Sequence, residues 1–187
     1  MMTKNVFLND FFSKTAMIKY ASTKKAIAIS KEDPSELYPD FDFFVELLNS
    51  ENQIIKWTAI QVIGNLSKVD KKKKVDKLLP RLISFLNCGK MITANNTILA
   101  LSEIALNKPE YQEIIFKEFI KVEQYNYDTS ECRNVALGKV VLVLGKFKDE
   151  IKDQKDILEF LERQTNNTRA SVKKRAMKLL EKLKPHK

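Results

Sequence analysis

The sequence predicts an all-helical protein built from repeated helix pairs, and three observations carry that prediction. Four glycines and five prolines punctuate 187 residues, so long stretches run without a breaker. Within those stretches apolar residues recur at three- and four-residue spacing, the period of an amphipathic helix. A small residue set in the same apolar pattern then recurs at Ser22, Ala59, Ala100, Ala136 and Ala176, at intervals of 37, 41, 36 and 40 residues. A fixed period of this length marks stacked supersecondary units.

Each element follows in order. Residues 1–12 hold Phe7, Leu8, Phe11 and Phe12 one helical turn apart, read as a lid over the first repeat or else as an exposed partner site. Repeats are expected at about 13–50, 51–88, 89–125 and 126–164, each a first helix, a polar elbow and a second amphipathic helix. The first helices join an apolar residue, a basic one and the small anchor: Ile18, Lys19 and Ser22; Ile55, Lys56 and Ala59; Cys132, Arg133 and Ala136. The third copy is degenerate, with Asn96 and Thr97 before Ala100. Second helices are expected at 37–49, 72–87, 110–124 and 153–164, after the elbows "KEDPSE", "SKVDKKKK", "NKPE" and "FKDEIKDQ".

Two segments need comment. In the second helix of repeat two, Val75, Leu78, Leu79, Leu82, Ile83 and Leu86 form one stripe despite Pro80, which predicts a kink, or a late start with Pro80 in the first turn. The run "VVLVLG" at 140–145 lies inside a longer helical pattern and is read as a helix buried on most sides. Residues 165–187 supply one capping helix containing Val172, Lys173 and Ala176, with an outer face almost wholly lysine and arginine.

These features resemble HEAT repeats over nearly the whole chain. The matching residues are the apolar–basic–small pattern, "IGNLS" at 63–67, Asp70 in its elbow and "LLPRLISFL" at 78–86. The third repeat departs, since Thr97 replaces the basic residue and its elbow has no aspartate. The resemblance implies a right-handed α-α superhelix of about four and a half HEAT-like helix pairs, with first helices convex and second helices lining the concave side. It also implies that Lys19, Lys56, Arg133 and Lys173 bond elbow acids or carbonyls of adjacent units. The chain reads as a single domain, because a lone helix pair cannot bury its apolar face.

Several function classes are set aside. No run is long and apolar enough to span a bilayer, and the N-terminus lacks the pattern of a secretory signal, so the expectation is a cytoplasmic protein without membrane attachment. Cys88 and Cys132 have no metal-ligand spacing and are read as ordinary packed thiols. The single histidine, His186, sits second from the end, too loosely held for proton transfer. No phosphate-cradling loop, nucleophile elbow or metal cluster is present, and Asp149, Glu150, Asp153 and Asp156 read as solvated. The expectation is therefore no enzyme and no cofactor. Trp57 lies opposite the core stripe of its helix, where Tyr20 lies one repeat earlier. It is read as inter-repeat packing, against the alternative of a base-stacking or partner-anchoring aromatic.

The net charge of +9 is unevenly placed: residues 51–90 carry +6 and 165–187 carry +7, while the remaining segments are each slightly negative. Lys71, Lys72, Lys73, Lys74, Lys77 and Arg81 form the candidate partner or phosphate contact. Only five of 33 basic residues are arginine, which disfavours base readout. The preferred reading is a non-catalytic protein-interaction module holding a protein or peptide on the concave face, with Phe44, Phe85, Phe116 and Ile120 as candidate apolar contacts. The alternative is a sequence-nonspecific nucleic-acid-binding protein, in the extreme a relative of the HEAT-like DNA alkylation-repair glycosylases, although no residue here matches their aromatic, acidic and arginine cleft. A third possibility is a HEAT protein attending a cofactor-bearing partner, as lyase-associated or chaperone-like members do.

Overall fold

The computed structural model describes residues 5–184. A 3-10 turn at Val6–Phe12 precedes α1 (Ala16–Glu32), α2 (Pro34–Leu37), α3 (Phe41–Leu47), α4 (Gln53–Leu66), α5 (Lys74–Ser84), α6 (Met91–Asn107), α7 (Gln112–Lys121), α8 (Ser130–Leu144), α9 (Lys148–Ile151), α10 (Lys155–Gln164) and α11 (Ala170–Leu183). No strand occurs among the described residues. The long helices α1, α4, α6, α8 and α11 stack side by side in that order, and the shorter helices between them form a second layer. The result is an all-α solenoid. "VVLVLG" falls within α8 and the bend after it, with Val140, Val141, Val143 and Leu144 buried.

Small residues set the stacking distance. Ser22, Ala59, Ala100, Ala136 and Ala176 are all buried, because a larger side chain at the anchor would hold neighbouring helices apart. The tightest approach joins α4 to α6, where a methyl group added at Gly64 would lie 2.6 Å from the Ala100 Cα. Polar clasps tie neighbours laterally: Asn65 Nδ2 donates to Ser30 Oγ at 2.8 Å, Asn107 Nδ2 to Ser67 Oγ at 2.9 Å and Gln61 Nε2 to Asn96 Oδ1 at 2.7 Å.

Helix starts follow local side-chain chemistry. Asn52 accepts from the N–H groups of Ile54 and Ile55 to open α4, and Thr129 Oγ1 accepts from Cys132 to open α8, satisfying donors that lack intrahelical partners. At α2, Asp33 caps and Pro34 occupies the first turn, where its missing N–H costs nothing. Pro80 behaves differently: it lies inside α5, which neither starts late nor opens at the proline. Asp70 sets the start of α5 instead, and Pro80 leaves the Asp76 carbonyl without its helical donor.

At the N-terminal end Leu8 and Phe11 are fully buried, and Phe11 meets Phe43 edge to face at 5.6 Å. Ser22 Oγ donates to the Phe7 carbonyl at 2.8 Å and fastens this turn to α1. The four residues singled out in the sequence thus divide: Leu8 and Phe11 form the lid, Phe7 is half-buried, and Phe12 is 67% exposed. At the other end α11 buries Val172, Ala176, Leu179 and Leu183 and presents its lysines outward. His186 lies outside the described residues.

Candidate interaction surfaces

The lysine run 71–74 is organised by one carboxylate. Asp70, its side chain fully enclosed, accepts from the backbone N–H groups of Lys74 and Val75 at 2.8 and 2.9 Å. It therefore occupies the anion position that the N-terminus of α5 offers. Tyr38 donates its hydroxyl to Asp70 at 2.6 Å, and Lys108 Nζ approaches it at 3.2 Å. Turning the chain into this cap places Lys73 at φ 54°, a left-handed conformation rare outside glycine.

Lys108 also donates to Asp76 Oδ1 at 2.6 Å, so Tyr38, Asp70, Lys108 and Asp76 form one network across three elbows. Burial pushes the Tyr38 hydroxyl up to about 12, assisted by its bond to Asp70. Burial opposes the charge on Lys108, but its bonds to Asp76 and Asp70 outweigh that and hold its pKa above the ordinary lysine value. The carboxyl of Asp76 is likewise disfavoured as an anion by burial, and the bond from Lys108 brings its pKa below the ordinary range.

This network divides the candidate cationic residues. Lys71, Lys72, Lys73 and Lys77 are exposed, whereas Lys74 Nζ pairs with Asp42 at 2.8 Å and Arg81 donates to Asn49 Oδ1 at 2.6 Å. The recurrent basic residues depart from expectation. Among the described residues, Lys19, Lys56, Arg133 and Lys173 form no ion pair, and it is Lys108 that pairs with the elbow acid Asp70 and with Asp76 in the first turn of α5. Lys108 was the residue the sequence reading missed. Its signal was positional, for Ser30 and Ser67 occupy the corresponding place eight residues after their anchors.

The apolar candidates are also redistributed. Phe44 is 0% exposed and Phe116 is 1% exposed, so neither is a surface contact. Phe44 lies beneath the N-terminal lid against Phe11 and Phe43, and Phe116 packs on Phe147 from the elbow after α8 at 5.0 Å. Phe85 is half-buried against the core. Ile120, also half-buried, helps to line a groove of about 410 Å³ between α7 and α10, with Phe116 and Ile157 completing its apolar part. Glu113, Lys117, Lys155 and Asp156 form its charged rim. At one end the two helices are clamped by Arg163, which donates to both oxygens of Glu123 at 3.2 and 2.7 Å.

The remaining singled-out residues are structural or solvated. Trp57 Nε1 donates to Thr93 Oγ1 at 2.9 Å and joins α4 to α6, the inter-repeat role expected of it. Asp149, Glu150, Asp153 and Asp156 are exposed. Cys88 is exposed rather than packed, because it precedes Gly89 in a turn with φ 75°. Among the described residues no group of three or more histidine, cysteine or carboxylate residues could hold a metal ion, and no helix is long and apolar enough to cross a membrane.

No protein-family model and no curated protein matches the chain. Solved structures do. Two crystal structures of engineered proteins from the Northeast Structural Genomics Consortium, targets OR329 and OR497, are similar with TM-scores of 0.52 and 0.58 at 15% and 18% identity. Each alignment covers 95% of this chain, and 94% and 47% of the respective engineered chain. A designed armadillo repeat protein, YIII(Dq)4CqI, aligns over 95% of this chain and 98% of its own at 13% identity, with a TM-score of 0.40. At such identities the likeness of the two engineered proteins speaks for the fold alone.

Proposed function

We propose that the protein is a non-catalytic interaction module of the HEAT-like kind, holding a protein or peptide partner in the groove between α7 and α10. The observation that carries this reading is the groove itself. It combines an apolar floor at Ile120 and Ile157 with a rim of both charge signs, the composition of a small protein interface with a dry centre and a polar edge. Its floor rests on buried phenylalanines and its end is fixed by the Arg163–Glu123 clamp, so little ordering is required when a partner binds. The repeat units 13–50, 51–88, 89–125 and 126–164, with 1–12 and 165–187 as end pieces, and a cytoplasmic location belong to the same reading.

The nucleic-acid alternative is not favoured at residues 71–81. Asp70 takes the helix N-terminus that a phosphate would use, Asp42 pairs with Lys74, and Trp57 spends its indole N–H on Thr93. The test is photocrosslinking in cells with a photoreactive residue at Ile120, compared with one at the exposed Met17 on α1. A discrete adduct at position 120, absent at 17 and lost when the exposed rim is reversed by Lys117→Glu and Asp156→Lys, supports the groove. Adducts that form equally from both positions sink it.

A further inference from the structure

The two basic segments of the chain are not equivalent in the folded molecule. In the first, Lys71, Lys72, Lys73 and Lys77 are exposed, but Lys74 and Arg81 are engaged by neighbouring helices and the carboxylates of Asp42, Asp70 and Asp76 stand beside the run. In the second, Lys174, Lys178 and Lys182 of α11 and Lys184 just after it are exposed and, among the described residues, form no ion pair. Arg175 reaches only the Gly138 carbonyl, at 3.4 Å. The groove between α8 and α11 adds Lys148 to Arg175, Lys178 and Lys182, and no carboxylate lines it. Within α11 itself Glu181 is the single acidic residue. Like charges gathered this way repel one another, and Glu181 is the one carboxylate among the residues that line the two grooves beside α11.

We infer that the outer surface of α11, with the adjoining end of α8, binds the phosphate backbone of duplex nucleic acid without reading its sequence. The inference is independent of the α7–α10 groove. Positions 174, 178 and 182 are four residues apart, so they form a row along one face with a spacing of about 6 Å. From 174 to 184 the cations extend about 15 Å, and a duplex presents a negative charge for about every 1.7 Å of its axis. A linear polyanion fits such a row. A protein partner fits it less well, because protein interfaces centre on dry apolar anchors and are depleted in lysine, and the apolar groups here are the separate, half-exposed Met177 and Leu142. Insertion into a membrane is disfavoured because the apolar stripe of α11 is already buried. No aromatic residue lines either groove beside α11, which removes the stacking platform that single strands require. Lysine predominance gives attraction without base discrimination.

The test is fluorescence anisotropy of the full chain with a labelled duplex of about 24 base pairs across a salt series, where four neutralised phosphates give a log–log slope of about −4. Changing Lys174→Glu, Lys178→Glu and Lys182→Glu together should weaken binding by about thirtyfold or more and flatten that slope by about three. The matched control, Lys71→Glu, Lys72→Glu and Lys77→Glu, removes equal charge elsewhere and should weaken it by no more than about threefold. Glu181→Gln should tighten binding. Circular dichroism confirms that each variant is folded, as expected for exposed positions. Equal weakening by the two triple variants overturns the inference, as does absence of binding at about 50 mM salt. Preference for phosphatidylserine vesicles, or displacement of the duplex by polyglutamate at matched charge, also overturns it and assigns the surface to a membrane or an acidic protein.

Discussion

Lys108, in the turn after α6, brings its Nζ to within 3.2 Å of the carboxylate of Asp70, in the turn before α5, with both side chains almost wholly enclosed. Removing one partner of such a pair strands the other without water. Lys108→Met should therefore lower stability by about 3–5 kcal/mol, read as a shift of the urea midpoint at constant slope. Asp70→Asn combined with Lys108→Met should cost less than the two single changes added together. Strict additivity would mean that the pair is not coupled.

The same network sets a pH window. Lys108 and Tyr38 hold their protons more tightly folded than unfolded, so their contribution is intact below about pH 10, the ordinary range of both groups, and is lost as pH rises through their folded values. Asp76 is shifted the other way, and its contribution is present above about pH 4 and lost as pH falls through its folded value. Thermal melts should show a plateau between these limits and a fall at each side. In Lys108→Met the alkaline fall should become shallower, and an unchanged alkaline limb would assign it to other groups.

Gly64→Ala should destabilise the fold even though alanine is the better helix former. Its methyl would meet the backbone of Ala100, which cannot rotate away. A gain of about 1 kcal/mol in propensity is set against overpacking at the upper end of about 1–3 kcal/mol, because the obstacle is backbone, so the net loss should approach about 2 kcal/mol. Gly138→Ala meets a side-chain methyl of Val172 at 2.9 Å and should cost less. The ordering of the two melting temperatures is the check.

Trp57→Phe keeps an aromatic side chain but removes the donor to Thr93 together with the five-membered part of the indole. About 1 kcal/mol of stability should be lost, and Thr93→Val should cost a similar amount. Because Trp57 is the single tryptophan, its fluorescence reports the α4–α6 junction, and Thr93→Val should red-shift the emission as the indole seeks water.

Much of the architecture was legible in the residues. The anchors from Ser22 to Ala176 revealed the stack because close packing restricts side-chain volume at a fixed interval, and Asp70 was visible as an elbow acid. Sites were harder to read. Phe44 and Phe116 lie off the main stripe of short second helices, and a helical wheel assigns such positions to solvent. It cannot show that the Val6–Phe12 turn covers one and that Phe147, from a distant elbow, covers the other. Lys108 escaped because lysine in an "NKPE" turn is ordinarily solvated; its burial depends on two aspartates about thirty or more residues earlier, brought near only by stacking. The groove needs α10 beside α7, a pairing that no local pattern encodes.

The near-contact between Gly64 and Ala100 also bears on elasticity. A solenoid is a spring, and its stiffness is fixed junction by junction. A Cβ added at Gly64 would strike the backbone of Ala100 where α4 meets α6, whereas one added at Gly138 would strike a methyl group of Val172 where α8 meets α11. Because each unit of a stack is seated only on its neighbours, any change in the α4–α6 spacing re-aims everything beyond it, the α7–α10 groove included, relative to the first two coils.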